Sequence, residues 1–478
     1  MSDSAIFDIA VIGGGPGGYV AALRAAQLGA RVALVERARI GGVCLNSGCI
    51  PTKALAATAE WLAAGRTRQA LGVVGDLRVD PKAAFAHKDA AVAQIVGGVE
   101  QLLLEQGVVV LRGHATLLNP SGVVVENAQG ARQIGLHRGV ILSPGSRPVA
   151  ARFPGADLPQ VLESDALLLS AAIPRRLVII GGGVVGVEFA SIWAALGTHV
   201  TVVEALPTLL PAFDADLGRR LQLAFRRAGI AAHTRTRVEG ISSQQSGLQV
   251  AAIGPQGAFT LEAEAVLLAM GRRPAIAGMG LEEAGVRLRE GAIGVNERLE
   301  TSLPGVYAVG DAVGGAMLAH RAMAQGRIAA ENIMGADHRL DEKAIPSCVF
   351  ASPEVATVGL TMAQAQAVGI AAEEIGFPFA SNGRALAAEE AFGEAKLVCT
   401  PGGQQVLGMH IIGPHATDLI SEGVLAVRLG LSADDIADSV HPHPTYGEAV
   451  MEAALGFRGA MIHHLYKPVR HAALRHDS

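Results

Sequence analysis

The chain has 478 residues, of which half are hydrophobic and only 4% aromatic, and 59 of them are glycine. A chain of this length suits about three domains of roughly 150 residues, and its Val-, Ile- and Leu-rich character favours buried parallel strands over an aromatic-rich β-sandwich. The net charge of −5 excludes an electrostatic nucleic-acid binder, and glycine clusters interrupt the longest apolar runs, which argues against a membrane span.

Cysteine usage indicates the compartment. The chain has only 4 cysteines, too few for the disulfide framework of a secreted protein. No secretory h-region precedes the first strand, so we expect a soluble, cytoplasmic protein. In a reducing compartment, a close pair of cysteines is more often reactive than structural.

The first predicted elements are a strand, a glycine-rich turn, a helix and a second strand. The segment "FDIAVI" is an apolar strand, "GGGPGG" follows it, and "RVALVE" is the second strand, which ends at Glu36. Gly13, Gly15 and Gly18 have the G-x-G-x-x-G spacing. Such a turn lets a pyrophosphate approach the backbone at a helix N-terminus, and the acidic residue binds ribose hydroxyls. The sequence therefore predicts a dinucleotide-binding βαβ motif.

The next segment, "GGVCLNSGCIPTKAL", places Cys44 and Cys49 five positions apart. Five steps of a regular helix cover about 7.5 Å, whereas a disulfide requires Cα atoms within roughly 4.4–6.8 Å. Gly48 permits unusual dihedral angles, and Pro51 lacks the N–H that a helix interior uses. We therefore expect irregular backbone that holds the two sulfurs at bonding distance.

The βαβ pattern then recurs in "RRLVIIGGGVVGVEFASIWAALGTHVTVVE", with glycines at Gly181, Gly183 and Gly186 and a closing Glu204. Glu36 and Glu204 each follow the last glycine of their motif by 18 residues. Two such motifs predict two adenosine-containing cofactors. A carboxylate binds a free 2′-hydroxyl but repels a 2′-phosphate, and no Arg directly follows Glu204, so NAD(H) is favoured over NADP(H).

These features, with several later motifs, resemble the flavin-dependent pyridine nucleotide–disulfide oxidoreductases, and most closely their dihydrolipoamide-oxidising branch. The redox motif of that family, G-G-x-C-L-N-x-G-C-I-P-[ST]-K, is matched from Gly41 to Lys53. Further matches follow in the expected order along nearly the whole chain: "SPGSRP" (143–148), "GRRP" (271–274), "TSLPGVYAVGDA" (301–312), "MLAHRA" (317–322) and "HPHPTYGEAV" (441–450).

The resemblance implies an α/β fold with two Rossmann-like domains, the first for FAD and the second for NAD(H), and a homodimer. It implies a FAD-binding domain with the redox disulfide at 1–150, an NAD-binding domain at 151–273, a central domain at 274–344 that completes the FAD site, and an α+β dimerisation domain at 345–478 with a basic tail. The cofactor-binding residues it implies are Gly13, Gly15, Gly18, Glu36, Gly42, Lys53, Gly145, Asp311, Ala319, His320, Gly181, Gly183, Gly186, Glu204 and Gly271. No metal is expected.

The resemblance also implies the roles of the redox residues. Cys44 and Cys49 would form a redox disulfide, in which Cys49 lies over the flavin and Cys44 exchanges with the substrate sulfur. Lys53 would pair with Glu188 near the flavin and nicotinamide. Glu188 lies in the apolar run "VVGVEFASIWAAL", where an unpaired charge is expensive, so a buried cationic partner is expected from the sequence as well.

The motif near residue 441 supplies the acid–base group. Thiol–disulfide exchange requires a base for the attacking thiol and an acid for the departing one, which suits an imidazole. By the motif match His443 is this base, contributed by the partner subunit, and Glu448 orients it. His441 is the weaker candidate.

The function implied is oxidation of dihydrolipoyl groups to lipoyl groups with reduction of NAD⁺. We expect a separate lipoyl-bearing carrier, in a 2-oxo acid dehydrogenase or glycine cleavage complex. Glu204, Leu45 and Ile50 disfavour a glutathione-type reductase. A mercuric reductase is disfavoured because the sequence has no cysteine pair near the C-terminus. A diaphorase or NADH oxidase and a purely structural flavoprotein subunit stay open, although the latter would not need the cysteines, His443 and Glu448.

Some features have no assigned role. Pro144 and Met270 depart from the usual family residues, and Cys348 and Cys399 are expected to be buried, inert thiols. The tail after Gly456 is basic and rich in histidine. Disorder is the default interpretation of it, with partner docking or a weak metal site as alternatives.

Overall fold

The computed structural model describes residues 6–465. The end of the basic tail, from residue 466, lies outside the described residues. The chain divides into two compact units. Unit 1 comprises Met1–Leu62, Arg78–Ala205 and His233–Leu340, and unit 2 comprises Ala63–Leu77, Leu206–Ala232 and Asp341–Ser478. The four-domain division expected from the sequence is finer than this and stays a prediction.

The strands are, in chain order, β1 Ile6–Ile12, β2 Val32–Glu36, β3 Val109–Arg112, β4 His114–Asn119, β5 Gly122–Asn127, β6 Gly130–Leu142, β7 Ser146–Pro148, β8 Val161–Leu162, β9 Arg176–Ile180, β10 His199–Val203, β11 Ala231–His233, β12 Arg237–Gln244, β13 Gly247–Gly254, β14 Gly257–Ala263, β15 Ala265–Leu268, β16 Arg272–Pro274, β17 Leu288–Arg289, β18 Ala292–Ile293, β19 Val306–Ala308, β20 Ser347–Val349, β21 Glu354–Gly359, β22 Glu373–Pro378, β23 Glu394–Cys399 and β24 Val406–Gly413.

The helices are α1 Pro16–Gln27, α2 Gly42–Ser47, α3 Cys49–Thr67, α4 Pro81–Glu105, α5 Ser164–Leu169, α6 Val184–Ala195, α7 Ala215–Arg227, α8 Ala319–Ile333, α9 Met362–Ala367, α10 Gly383–Ala387, α11 Ala416–Leu429, α12 Ala433–Ala437 and α13 Glu448–Gly456. Within the part of the chain that is described, no helix has both the length and the apolar character needed to cross a membrane.

The first predicted βαβ motif is present in unit 1. β1 pairs in parallel with β2 and with β6, and the sheet runs β3-β2-β1-β6-β5-β4, with β19 also paired to β6. β2 is buried along its whole length, as expected for a parallel strand covered on both faces. α1 packs against α8, and the core beneath them consists mostly of Val, Ile, Leu and Ala side chains.

The second predicted βαβ motif is also present in unit 1. β9 pairs in parallel with β10 and with β15, which in turn pairs with β8. α6 connects β9 to β10, and the glycine-rich turn of this motif lies between the end of β9 and the start of α6. Both predicted Rossmann-like motifs, and the α/β class of the fold, are therefore confirmed. A separate antiparallel sheet of β12, β13 and β14 completes this part of unit 1.

Unit 2 is built on a five-stranded antiparallel sheet in the order β20-β21-β24-β23-β22. α11 packs on β21 and β24, and α13 packs on β22 and β23. The apolar core between them includes Phe377, Phe379 and Tyr446. Cys399 is in this core, and burial raises the pKa of its thiol to about 12, so the expectation of an inert thiol is met at this position.

A buried charge network fixes α7 to this sheet. Lys396 on β23 is 4% exposed, and its Nζ lies 2.9 Å from Asp214 Oδ2 and 3.4 Å from Glu374 Oε1. Arg220 on α7 lies 3.0 Å from Glu394 through Nη2. Asp214 is also the N-cap of α7, where its side chain accepts the N–H of Asp216. Each cation of the network is thus paired with carboxylates, and removal of either cation would leave a carboxylate with a free-energy cost of burial and no opposite charge.

We expect Lys396→Met to destabilise the protein by about 3 kcal/mol, because the half-buried carboxylates around it lose their buried cationic partner. Thermal unfolding would measure this as a lower Tm. Lys343→Met, at an exposed lysine of the same unit, is the control and should leave the Tm nearly unchanged. Equal Tm values for the two variants would contradict the role given to Lys396.

Candidate functional site

The first glycine-rich turn is shaped for close backbone approach. Gly13 has φ of +102°, and a Cβ placed there would lie 2.1 Å from the Ser143 carbonyl oxygen. A Cβ at Gly18 would lie 1.7 Å from the Gly13 carbonyl oxygen. The Gly14 N–H donates to Glu36 Oε2 at 2.7 Å, which holds the buried carboxylate against the turn. Side chains are thereby excluded at the N-terminus of α1, where an anion is stabilised.

The second turn repeats this geometry. Gly181 has φ of +114°, and a Cβ there would lie 2.2 Å from the Ala269 carbonyl oxygen. A Cβ at Gly186 would lie 1.9 Å from the Gly181 carbonyl oxygen. The Gly182 N–H donates to Glu204 Oε2 at 2.6 Å. Both turns therefore fit a dinucleotide, with a pyrophosphate at the helix N-terminus and a carboxylate at the end of the next strand.

The backbone of the redox segment meets the first turn. Gly42, the first residue of α2, has φ of +55°, and a Cβ there would lie 2.8 Å from Gly15 Cα. The absence of a side chain at both glycines leaves the first turn open on the side of α2. This is the kind of cradle that a bound FAD requires beside its pyrophosphate.

The two cysteines lie on either side of a break between helices. α2 ends at Ser47, Gly48 adopts φ of −138° and ψ of −106°, and α3 begins at Cys49. The predicted irregular backbone is confirmed. Cys44 and Cys49 are free thiols in this structure, and each is the hydrogen-bond partner of the other. Their pairing as a redox disulfide stays a prediction.

The two thiols have very different acidities. The hydrogen bond from Cys44 lowers the pKa of Cys49 to about 7; burial opposes this, and the positive charge of Lys53 adds to it. The same hydrogen bond, together with burial, raises the pKa of Cys44. Above about pH 7 the reduced pair therefore carries one negative charge, and that charge is on Cys49.

Lys53 connects the redox helix to the second βαβ motif. It lies about one helical turn beyond Cys49, and its Nζ is 2.9 Å from Glu188 Oε2 and 3.0 Å from Oε1. Glu188 lies on α6 and is 5% exposed. The ion pair satisfies the buried carboxylate and places an ammonium group beside the Cys49 thiolate.

Asp311 is held by two residues that the sequence analysis did not single out. Ser146 donates its hydroxyl to Asp311 Oδ2 at 2.5 Å. Arg272 donates from Nε to the Ser146 hydroxyl at 2.7 Å and from Nη2 to the Ser146 carbonyl oxygen at 2.9 Å. Both residues lie in motifs noted from the sequence, but only the pairing of β7 with β16 brings them together, so that Arg272 supports Asp311 through Ser146.

The remaining predicted cofactor residues lie at the ends of elements in unit 1. Gly145 precedes β7 with φ of +74°, and Gly271 precedes β16 with φ of +102°. The Val149 N–H donates to the Gly271 carbonyl oxygen, which ties the two connections together. The last two predicted residues open α8: Ala319 is its first residue, and the exposed His320 follows.

Tyr19 is a residue near the cysteines that the sequence analysis missed. It follows Gly18 on the first turn of α1. Burial raises the pKa of its phenol, and the nearby sulfurs of the cysteine pair, of which Cys49 is the one that ionises, raise it further. Its place directly after the last glycine of the motif is the only sequence signal, since its approach to the sulfurs depends on the folded chain.

The predicted histidine–carboxylate pair is in unit 2. His443 Nδ1 lies 2.8 Å from Glu448 Oε1, and the Thr445 N–H donates to Glu448 Oε2 at 2.8 Å. Burial opposes ionisation of Glu448, but these hydrogen bonds outweigh it and lower its pKa. The imidazole is 77% exposed, and the hydrogen bond to Glu448 uses Nδ1 rather than Nε2. Such a dyad holds one ring nitrogen fixed and leaves the other for proton transfer.

The other histidines have separate partners. His441 Nε2 lies 3.1 Å from Glu422 Oε1, and its Nδ1 lies 2.8 Å from the Ser439 carbonyl oxygen. His463 Nδ1 lies 2.6 Å from Glu452, and His464 Nδ1 lies 3.3 Å from the Ser381 hydroxyl. Among residues 6–465, no group of three or more His, Cys, Asp or Glu side chains is arranged to hold a metal.

Comparison with known proteins identifies the family. The family model described as "Pyridine nucleotide-disulphide oxidoreductase" matches residues 7–326. The model of the dimerisation domain of that family matches residues 345–454.

Relatives of known name match almost the full length. A dihydrolipoyl dehydrogenase of Thermus scotoductus is 41% identical over 96% of this chain and 98% of the relative. A dihydrolipoyl dehydrogenase of Geobacillus stearothermophilus is 38% identical over 96% of this chain and 97% of the relative. Among solved structures, LpdA from Mycobacterium tuberculosis has a TM-score of 0.86 and 28% identity, covering 94% of this chain and 99% of that one.

We predict that Lys53→Met raises the pH at which Cys49 ionises in the reduced protein, by about one pH unit, because an opposite charge close to the thiolate is lost. The pH dependence of alkylation of Cys49 by iodoacetamide, read by mass spectrometry, measures this. Wild type should reach half of its maximal rate near pH 7. Lys82→Met, at an exposed lysine, is the control. An unchanged midpoint in Lys53→Met would contradict the charge effect.

Proposed function

The chain belongs to the pyridine nucleotide–disulphide oxidoreductase family, and we propose that it oxidises dihydrolipoyl groups to lipoyl groups and reduces NAD⁺ to NADH. The observation that carries the proposal is the Cys44–Cys49 pair, whose second thiol is acidified beside Lys53. The names of the full-length relatives support the same reaction.

The family uses FAD and NAD, and the two glycine-rich turns fit them. We assign FAD to the turn at Gly13 and Glu36, with Gly42, Lys53, Gly145, Asp311, Ala319 and His320. We assign NAD to the turn at Gly181 and Glu204, with Gly183, Gly186 and Gly271. Bound FAD would supply the two-electron chemistry that connects a dithiol to hydride transfer to NAD⁺.

The sulfur chemistry follows from the acidities of the two thiols. A substrate thiolate attacks Cys44 Sγ in the oxidised enzyme, so that a substrate–Cys44 disulfide forms and the Cys44–Cys49 bond breaks. Cys49 departs as the thiolate, and its low pKa makes it the better leaving group. The second thiolate of the substrate then attacks the substrate sulfur that is bonded to Cys44. This closes the lipoyl disulfide and releases Cys44 as a thiolate.

The His443–Glu448 dyad handles the protons of these steps. Nε2 of His443 takes the proton of the attacking substrate thiol and returns one to Cys44, whose raised pKa favours the neutral thiol. Glu448 bonds the opposite nitrogen, which fixes the tautomer and stabilises the charged ring. This geometry supports the role that the sequence motif predicts for both residues.

The active site is completed across a homodimer in this proposal. The cysteines, Lys53 and Glu188 lie in unit 1, whereas His443 and Glu448 lie in unit 2. The match of residues 345–454 to the dimerisation domain of the family supports a dimer. His443 of one subunit would then serve the cysteines of the other.

The substrate carrier is a lipoyl-bearing protein of a 2-oxo acid dehydrogenase or glycine cleavage complex. The names of the relatives support the dihydrolipoyl group as the group that reacts. The identity of the protein that carries this group is a further part of the proposal. A cytoplasmic location is likewise a prediction from composition and cysteine usage.

The test is NADH formation from dihydrolipoamide and NAD⁺ by wild type, Cys44→Ser and His443→Gln. We expect no turnover by Cys44→Ser and a loss of about 10²–10⁴-fold in kcat/KM for His443→Gln, the size of a general acid–base contribution. NADH oxidation by an artificial acceptor should survive in all three, since it does not use the exchange thiol. A wild type that oxidises NADH but ignores dihydrolipoamide would replace this proposal with a diaphorase.

A further inference from the structure

A second histidine–carboxylate pair lies beside the dyad on the same helix. Glu448 and Glu452 are four residues apart on α13 and therefore lie on one face, about one turn apart. Two carboxylates in this arrangement repel each other. Each has an imidazole as its partner, His443 for Glu448 and His463 for Glu452.

Glu452 also anchors the chain that follows α13. It is 2% exposed, and its Oε2 accepts the N–H of Ile462 at 3.0 Å and that of His463 at 3.4 Å. Its Oε1 lies 2.6 Å from His463 Nδ1. One buried carboxylate thus fixes both the backbone and the ring of His463, so the position of this imidazole along α13 is set by the fold.

Since Glu448 and Glu452 lie one helical turn apart, the imidazole held by Glu452 is on the same face of α13 as the dyad. The positive charge of His463, when the ring is protonated, contributes to the lowered pKa of Glu448, after the larger effects of burial and of the hydrogen bonds from His443 and Thr445. His441, which hydrogen-bonds to Glu422, also interacts with the charge of Glu448. Arg384 and Glu390 contact the neighbouring Tyr446.

We propose that the Glu452–His463 pair is a positioning element of the active site, which holds a second imidazole on the same face of α13 as the His443–Glu448 dyad and favours the unprotonated form of the dyad. This inference rests on the proposed function. From the sequence, the histidines of the tail suggested at most a weak metal site, and the contact of His463 with a buried carboxylate gives it a different role.

The direction of the effect follows from charge. A positive charge next to the dyad opposes its protonation. Oxidation of the dihydrolipoyl group requires an unprotonated base, so activity falls when pH drops low enough to protonate the dyad. Removal of the positive charge should therefore move the acidic limb of the kcat/KM profile to higher pH.

The experiment is the pH profile of kcat/KM for dihydrolipoamide in wild type, His463→Gln, His463→Arg and His464→Gln. We expect the acidic limb of His463→Gln to move upward by about 0.3–0.5 pH units, as for one charge several ångströms away in a water-like medium. His463→Arg, which keeps the positive charge, should restore the wild-type position. His464→Gln is the matched control, because His464 contacts Ser381 and the Phe377 ring instead.

NADH oxidation with an artificial acceptor, which does not use the dyad, should have the same pH profile in all four proteins. An acidic limb that is identical in wild type and His463→Gln would overturn the inference while leaving the proposed function standing. A shift that His463→Arg fails to reverse would overturn it too, because the effect would then not be one of charge. A wild type inactive with dihydrolipoamide would overturn the proposed function and the inference with it.

Discussion

The redox site depends on the single ammonium group of Lys53. Glu188 is buried in an otherwise apolar helix and requires a cation, and the Cys49 thiolate requires a positive neighbour. Lys53 meets both needs from one position, a helical turn beyond Cys49. It thereby joins the helix that carries the cysteine to the helix of the second nucleotide-binding motif. The same ammonium group therefore lowers the pKa of Cys49 and forms the ion pair that links the two nucleotide-binding motifs of unit 1.

The two nucleotide-binding motifs show how little sequence is needed to specify such a site. In each, two glycines exclude side chains from contacts of about 2 Å with carbonyl oxygens, and one carboxylate accepts an N–H of the turn. These requirements are local, since they involve a strand, a turn, a helix and the next strand. The spacing of the glycines and the closing glutamate therefore predicted both motifs correctly from the sequence alone.

Contacts between distant segments were predicted only where chemistry forced a partner. Lys53 and Glu188 are 135 residues apart, and their pairing was predicted for two reasons: an unpaired buried charge is costly, and the family resemblance implies this pair. Nothing similar marked Tyr19, the Ser146–Arg272 support of Asp311, or the Glu452–His463 pair. Their residue types are common at surfaces and turns, and their partners are chosen by the packing of helices and strands. The break at Gly48 was predictable because helix geometry alone rules out a regular path between the cysteines.

The unequal acidity of the two thiols has a consequence for redox equilibrium. Reduction of the Cys44–Cys49 disulfide above pH 7 takes up two electrons but only one proton, because Cys49 stays ionised. An ordinary dithiol with unperturbed pKa values takes up two electrons and two protons in the same range. Its potential therefore falls by about 30 mV more per pH unit than that of the enzyme pair, since one proton in a two-electron couple is worth about that much. A rise in pH therefore favours transfer of electrons from the substrate dithiol to the Cys44–Cys49 pair, so the pH of the solution becomes part of the driving force.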